Sequence, residues 1–191
     1  MQSLKKIGLA IGILLLLVFL AFQFNKRMFA PEVTFVTLTG KNINMADLKG
    51  KVVLVNFWAT TCTTCVKEMP DLVDAYNAYK HKNFEMIAVA MDYDPPAQVL
   101  NFATQKALPF LVMHDGFGDV AKAFRHKGLT PTTYIYDKSG FRILYKVGEL
   151  NFEDLNKLLA KELSWCCGLK RYISFSSPAG LLGYFIYHGC L

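Results

Sequence analysis

The hydrophobic pattern changes character at about residue 30. Residues 7–24 carry no charge and lie between Lys5-Lys6 and Lys26-Arg27. That is an apolar run of about 18 residues, about 27 Å long as a helix and close to the hydrocarbon thickness of a bilayer. From Ala30 onward, short β-prone runs alternate with helical stripes. Residues 33–38 form the first such run, and 41–50 read as a turn-rich connection. Val52-Val53-Leu54-Val55-Asn56-Phe57-Trp58 is a near-continuous apolar strand of the kind buried on both faces of a sheet. Met69, Leu72, Val73, Tyr76 and Tyr79 then recur at helical spacing and make one apolar stripe. Residues 86–91 predict a second buried strand. Asp94-Pro95-Pro96 supplies an N-cap candidate and a proline in the first turn, opening a helix towards Lys106. A short strand follows at 110–114 and a helical segment at 119–126.

Residues 132–137 and 141–147 read as two strands joined by Lys138-Ser139-Gly140, a hairpin signal. Asn151, with Glu153 and Asp154 in the first turn, caps a last helix through Leu163. The order strand–helix–strand–helix–strand–helix–hairpin–helix predicts a mixed α/β sheet covered by helices. Three segments result: an anchor and juxtamembrane segment at 1–29, one domain at 30–164, and an apolar tail at 165–191. Pro178, Gly180 and Gly183 make the tail a weak candidate for a spanning helix. It receives no function, and Cys166, Cys167 and Cys190 read as incidental.

The chain is 53% hydrophobic and 19% charged, which places it with globular rather than disordered sequences. Its net charge of +6 does not make it a nucleic-acid binder. Lys5, Lys6, Lys26, Arg27, Lys170 and Arg171 all sit in the two ends, and acidic and basic residues balance between Ala30 and Ser164. The folded part therefore has no basic footprint for a phosphate backbone. For the first segment, a cleaved signal and a retained anchor compete. Ala21-Phe22-Gln23-Phe24-Asn25 offers no small-x-small cleavage site, and the length favours the anchor. The lysines and arginine on its two flanks nearly match, so the expected export of the domain follows from the chemistry below rather than from charge bias.

That chemistry lies in Trp58-Ala59-Thr60-Thr61-Cys62-Thr63-Thr64-Cys65, where a buried strand meets a helix. The spacing puts both sulfurs within bonding reach, with Cys62 at the exposed N-terminal end. Backbone N–H groups and the helix dipole stabilise a thiolate there, the form that attacks disulfides. Cys65, one turn in, resolves the mixed disulfide. A structural disulfide rarely closes so short a loop at a helix start. A zinc site needs a second ligand pair, which the adjacent Cys166-Cys167 do not supply. The four histidines are scattered and read as structural or surface residues.

Trp58-Ala59-Thr60-x-Cys62-x-x-Cys65 followed by Glu68-Met69-Pro70 resembles the TlpA/ResA-like branch of the thioredoxin superfamily, membrane-anchored extracytoplasmic thiol–disulfide oxidoreductases. The likeness runs from about Val33 to Leu163. It includes Asp47-Leu48-Lys49-Gly50-Lys51 and Gly128-Leu129-Thr130-Pro131-Thr132-Thr133. It implies a thioredoxin-like fold with a mixed central sheet flanked by helices, and a cis Pro131 facing the cysteine pair. Trp58, Thr130 and Pro131 would line the substrate site, with Thr130 offering its backbone to a bound segment. Thioredoxin itself carries a buried acid where Asn56 stands. Glu68 matches the acid that lies near the disulfide in ResA-like members, so it is expected to handle the proton of the resolving thiol; the plainer alternative is an exposed first-turn carboxylate. Pro70, inside the helix, is a feature the superfamily shares. Thr61 departs from the family's usual Trp, and Thr63-Thr64 lacks the proline that often precedes the second cysteine; both bear on redox potential.

The expected reaction is dithiol–disulfide exchange by Cys62 and Cys65 with protein substrates, without cofactor or metal. The resemblance implies reduction of disulfides in exported proteins such as apocytochromes c. It also implies an upstream membrane electron donor and a catalytic domain on the periplasmic or outer side of the cytoplasmic membrane. Two rivals are a copper chaperone using Cys62 and Cys65 with Met69, Met113 or His114, and a thiol peroxidase, which would need a helping Arg that this motif lacks.

Overall fold

The computed structural model describes residues 2–164, apart from the side chains of 2–5, 10 and 22–27; the tail 165–191, with Cys166, Cys167 and Cys190, lies outside the described residues. The elements run α1 (Gln2–Met28), β1 (Thr34–Val36), β2 (Asn42–Asn44), a 3₁₀ turn (Met45–Leu48), β3 (Val52–Trp58), α2 (Thr63–Tyr79), β4 (Phe84–Ala90), α3 (Pro96–Gln105), β5 (Leu111–His114), α4 (Asp119–Ala123), β6 (Thr132–Tyr136), β7 (Arg142–Val147) and α5 (Phe152–Ser164). Five strands form the main sheet in the order β5-β4-β3-β6-β7. β3 runs parallel to β4, and β4 to β5, while β3–β6 and β6–β7 are antiparallel. This is the thioredoxin-like mixed sheet that the sequence implied.

Every residue of the central strand β3 is buried, and its side chains alternate between two cores. Val52, Leu54 and Trp58 join Met69 and Leu72 of α2, Val99 of α3, and Leu155 and Leu159 of α5. Val53, Val55 and Phe57 join Phe35, Ile43, Val120 and Phe124 on the other face. Leu54, Leu72 and Leu159 are completely buried, each stabilising the fold by about 1.5–3 kcal/mol relative to exposure. α5 starts as its sequence predicts: the Asn151 side-chain oxygen accepts the N–H groups of Glu153 (3.0 Å) and Asp154 (3.2 Å). The β6–β7 turn closes on Asp137, whose Oδ1 accepts the Ser139 and Phe141 N–H groups, with Gly140 at φ +84°, where a side chain would be strained.

Several boundaries differ from the pattern reading. The 41–50 connection holds β2 and the 3₁₀ turn, because Ile43, Met45 and Leu48 all reach the second core and β2 pairs with β1. α2 runs through Pro70, which lies inside the helix as the resemblance implied. α4 stops at Ala123 rather than His126; Arg125 adopts φ +52°, and the His126 ring turns back to stack on Phe57 at 4.5 Å. Asp94 is not a helix cap. The N-cap of α3 is Pro95, which makes no side-chain bond, and the Asp94 carboxylate points elsewhere.

The apolar N-terminal run is a single helix, α1, with Leu14 to Leu20 exposed. No helix among the described residues is long and apolar enough to cross a membrane. The chain leaving α1 is stapled to the hairpin turn. Phe29 meets Phe141 edge-on at 5.6 Å, the Ala30 N–H donates to the Gly140 carbonyl (2.9 Å), and Arg142 Nη2 lies 3.6 Å from Met28 Sδ. Because Val53 pairs with Tyr136, this turn sits at the N-terminal end of β3. The staple and the cysteines occupy opposite poles.

Candidate active site

Parallel strands deliver their C-terminal ends to one edge, and the loops that follow meet there. Trp58 pairs with Ala90, Ala90 with His114, and Phe57 with Thr132. Loops 59–62, 91–95, 115–118 and 129–131 are thereby gathered at the pole away from α1.

The first of these loops carries the cysteines. Cys62 and Cys65 form a disulfide with Cα atoms 5.2 Å apart. Cys62 is the N-cap of α2: its sulfur accepts the Cys65 N–H at 3.2 Å, and its carbonyl accepts Val66 N–H at 3.0 Å. No acidic residue stands in the first turn of α2. In the dithiol form the Cys62 sulfur would therefore meet an N–H donor and the positive end of the helix with no nearby first-turn carboxylate, which favours a thiolate. Cys62 is half-buried and Cys65 is 1% exposed. That difference assigns solvent access to the first sulfur.

On the side of β3 that carries the pair lies a polar patch inside the core. Glu68 is 2% exposed and stands in the second turn of α2, so it is not an exposed helix-start carboxylate. Its Oε2 accepts the Leu150 N–H at 3.3 Å, while Oε1 has no partner among the described residues. Burial pushes the Glu68 carboxyl above the usual carboxylate range; the Leu150 N–H and the facing Asn56 carboxamide oppose the shift, and Glu149 and Asp71 add to it. Asn56, 1% exposed, donates Nδ2–H to Thr133 Oγ1 (3.0 Å) and leaves Oδ1 unpaired, so no bond of ordinary length joins it to Glu68. An unmet buried acceptor is costly. A proton on Glu68 Oε1 removes the buried charge and turns that oxygen into a donor.

The Thr130–Pro131 peptide is cis, as the resemblance implied. Thr130 Oγ1 lies 3.3 Å from the Tyr93 hydroxyl, and among the described residues nothing bonds the Thr130 backbone N–H or C=O. Tyr93 and Leu129 are each 55% exposed and Phe117 is 88% exposed, so the loops of this pole present an apolar rim. Trp58 requires a correction. It was expected to line the substrate site, but it is wholly buried, with its ring centroid 5.1 Å from that of Phe102; it forms part of the floor under the disulfide. The copper set does not converge. Met69 packs with Cys65 in one core, Met113 packs in the core on the other face of the sheet, and His114 Nε2 is bonded to the Asp94 carbonyl at 2.7 Å.

One further residue belongs to the site, which the chain pattern offers only as a helix cap. Asp94, 1% exposed, turns its carboxylate to the cysteine loop, accepting the Thr60 N–H at 2.6 Å and the Thr60 hydroxyl at 2.5 Å. The sequence signal was a carboxylate before Pro-Pro, which a cap explains equally well.

A thioredoxin-like sheet with an N-capping, accessible cysteine, a buried partner three residues on and a cis-proline loop at the same pole defines a thiol–disulfide oxidoreductase. Comparison with known proteins agrees. The chain belongs to the Redoxin family, whose model matches residues 25–159. It is 39% identical over 132 residues to the thiol-disulfide oxidoreductase ResA of Bacillus thuringiensis subsp. konkukian, covering 69% of this chain and 75% of that one. It is 33% identical over 130 residues to ResA of Geobacillus kaustophilus, covering 68% and 74%. Among solved structures it resembles a putative thioredoxin from Neisseria meningitidis (TM-score 0.66, 37% identity, 73% of this chain and 91% of that one). A thiol:disulfide interchange protein from Chlorobium tepidum is also similar (TM-score 0.65, 28% identity, 71% and 96%).

The raised Glu68 pKa has a consequence for stability. Folded protein holds a proton on Glu68 that the unfolded chain releases, so the stabilisation is complete below the unfolded carboxyl pKa and is lost as pH rises through the raised folded value. Glu68→Gln keeps the shape and cannot ionise. Urea midpoints of the oxidised proteins between about pH 4 and about pH 8 should show the parent losing ground to Glu68→Gln as pH rises. A difference that stays constant with pH would show that Glu68 carries no shift.

Proposed function

We propose that the protein is a membrane-tethered, extracytoplasmic reductant of disulfides in exported proteins, with apocytochromes c as the substrate type. The observation that carries the redox roles is the asymmetry of the pair, with Cys62 reachable at the helix terminus and Cys65 sealed one turn below it. The Cys62 thiolate attacks one sulfur of the substrate disulfide, and the first substrate thiolate leaves. Cys65 then attacks Cys62 Sγ, the second substrate thiolate leaves, and the enzyme disulfide closes. Two electrons pass to the substrate, and an upstream membrane dithiol donor restores the enzyme.

Glu68 accepts the Cys65 proton during resolution and returns it on reduction. Its carboxyl is desolvated and raised, which brings a carboxylate closer to the strength a base needs near neutral pH. Asn56 supplies no acid from β3. A substrate segment flanking the target cysteine lies along Thr130, whose backbone groups are open to a partner, with Pro131 shaping the groove and the Tyr93, Leu129 and Phe117 rim beside it.

The tether is the 7–24 run within α1, retained as a signal anchor. The staple of Phe29 on Phe141 then holds the bilayer-proximal segment at one pole, and the length of β3 puts the cysteines about 20 Å or more farther out. The reactive pole thus faces the aqueous compartment.

In cells, Cys65→Ser should accumulate mixed disulfides with partner proteins on non-reducing gels, and Cys62→Ser should not; the opposite pattern would reverse the two roles. In stopped flow, Glu68→Gln should slow resolution by roughly tenfold or more while sparing the first attack, a range ordinary for general acid–base catalysis. Equal slowing of both steps would exclude proton transfer to Glu68. After alkaline carbonate washing the protein should stay in the membrane fraction, with its domain open to protease in spheroplasts. Release by carbonate would mean that the helix is not a retained anchor.

A further inference from the structure

We propose that Asp94 is a positioning residue for Cys62, acting through Thr60, so that the cysteine loop keeps its shape when the disulfide opens. This rests on the reading of Cys62 as the attacking thiol. In the oxidised protein the sulfur–sulfur bond itself ties the loop to α2. On reduction that tie is lost, and residues 59–62 must be held by something else. Within the loop there is the Cys62 N–H bond to the Ala59 carbonyl (3.1 Å). To α2 it keeps the Val66 N–H bond to the Cys62 carbonyl (3.0 Å), and beyond α2 the loop is held by Thr60. Its N–H and hydroxyl both donate to Asp94, at 2.6 and 2.5 Å, and Gln98 Oε1 lies farther from the hydroxyl at 3.3 Å.

Asp94 is well built for this task. Its side chain is 1% exposed, and a carboxylate in such a place needs donors to offset desolvation. Its backbone is fixed from both sides: the N–H donates to the Met91 carbonyl (3.0 Å), and the carbonyl accepts from His114 Nε2 (2.7 Å) on the neighbouring strand. Pro95 and Pro96 follow and restrict the backbone further. A rigid acceptor gripping Thr60, two residues ahead of the nucleophile, keeps the Cys62 sulfur near the end of α2 in the dithiol state. Two thiols held in place close their disulfide more readily, because less freedom is lost on closure.

Loosening the loop should therefore lower the equilibrium constant for closing the disulfide. The constant is read from protein dithiol plus oxidised glutathione, giving protein disulfide plus two reduced glutathiones, after acid quenching and thiol alkylation. Asp94→Ala and Thr60→Ala should each lower it by about tenfold, which is ~30 mV in potential. Each should also slow attack of Cys62 on a small aromatic disulfide, measured with Cys65→Ser in the background. The double variant should be no worse than either single, since both remove one interaction. Asp94→Asn should recover most of the loss, its oxygen accepting the Thr60 N–H and its amide donating to the hydroxyl, which turns to Gln98. Thr60→Ser should do likewise.

A merely structural Asp94 would lower the melting temperature and leave the closing constant and attack rate alone, and that result overturns the proposal. So does an Asp94→Asn protein as impaired as Asp94→Ala, which would make charge rather than placement the agent. Additive losses in the double variant overturn it as well. If Asp94→Ala fails to fold, Thr60→Ala and Thr60→Ser, at a half-buried site, carry the same test. A parent protein that exchanges normally while all variants match it sinks only this proposal. A parent that cannot exchange sinks the underlying reading of Cys62.

Discussion

The complete burial of β3 is the constraint on which the rest depends. A strand with both faces covered must place helices or further chain above and below, and here α2, α3 and α5 lie on one side and α4 with the β1–β2 ribbon on the other. Such a strand can end only where the sheet ends. The chain leaving Trp58 therefore emerges at the pole shared with the loops after β4 and β5, and the cysteines are carried there by the fold's own economy. The opposite end of the same strand is where the hairpin turn receives the segment leaving α1.

Asn56 is the one polar residue in that strand, and it lies on the cysteine side. Among the described residues, Asn56 Oδ1, Glu68 Oε1 and Trp58 Nε1 are three buried polar atoms without bonds. In a low-dielectric interior such atoms are expensive, and a domain of this size gains nothing in stability from them. Under the proposed function, their place on the cysteine side of β3 is where a proton is taken up and released. The same desolvation that weakens the fold raises the Glu68 carboxyl above its ordinary value.

Loop 91–95 joins the two halves of this site. Asp94 holds the cysteine loop through Thr60, and the adjacent Tyr93 reaches Thr130 beside the cis-proline. The cysteine loop and the cis-proline loop are thus tied to one short segment, itself fixed by His114 from β5. Thr61 and Thr63 sit exposed around Cys62, so the surroundings of the sulfur are set more by this loop and by the helix end than by large neighbouring side chains.

Much of this was open to a reading of the sequence, because strand and helix periodicity is a local property. The apolar run of β3, the stripe on α2, the hairpin and the Asn151 cap each follow from spacing over a few residues, and so does the pairing of Cys62 with Cys65. What spacing reports is which face is buried, not what covers it. Ile43, Met45 and Leu48 look isolated in a polar stretch until Phe35 and the second core are brought against them. Trp58 looks like a site residue by its neighbours in the chain, yet its ring is spent inside the core. Glu68 is indistinguishable from a surface carboxylate until Leu150, 82 residues away, closes over it. Asp94 before two prolines satisfies the rules for a helix cap as well as it satisfies Thr60, 34 residues earlier. A carboxylate will bond whichever N–H the fold brings within reach, and only the tertiary structure decides that the one it meets belongs to the cysteine loop.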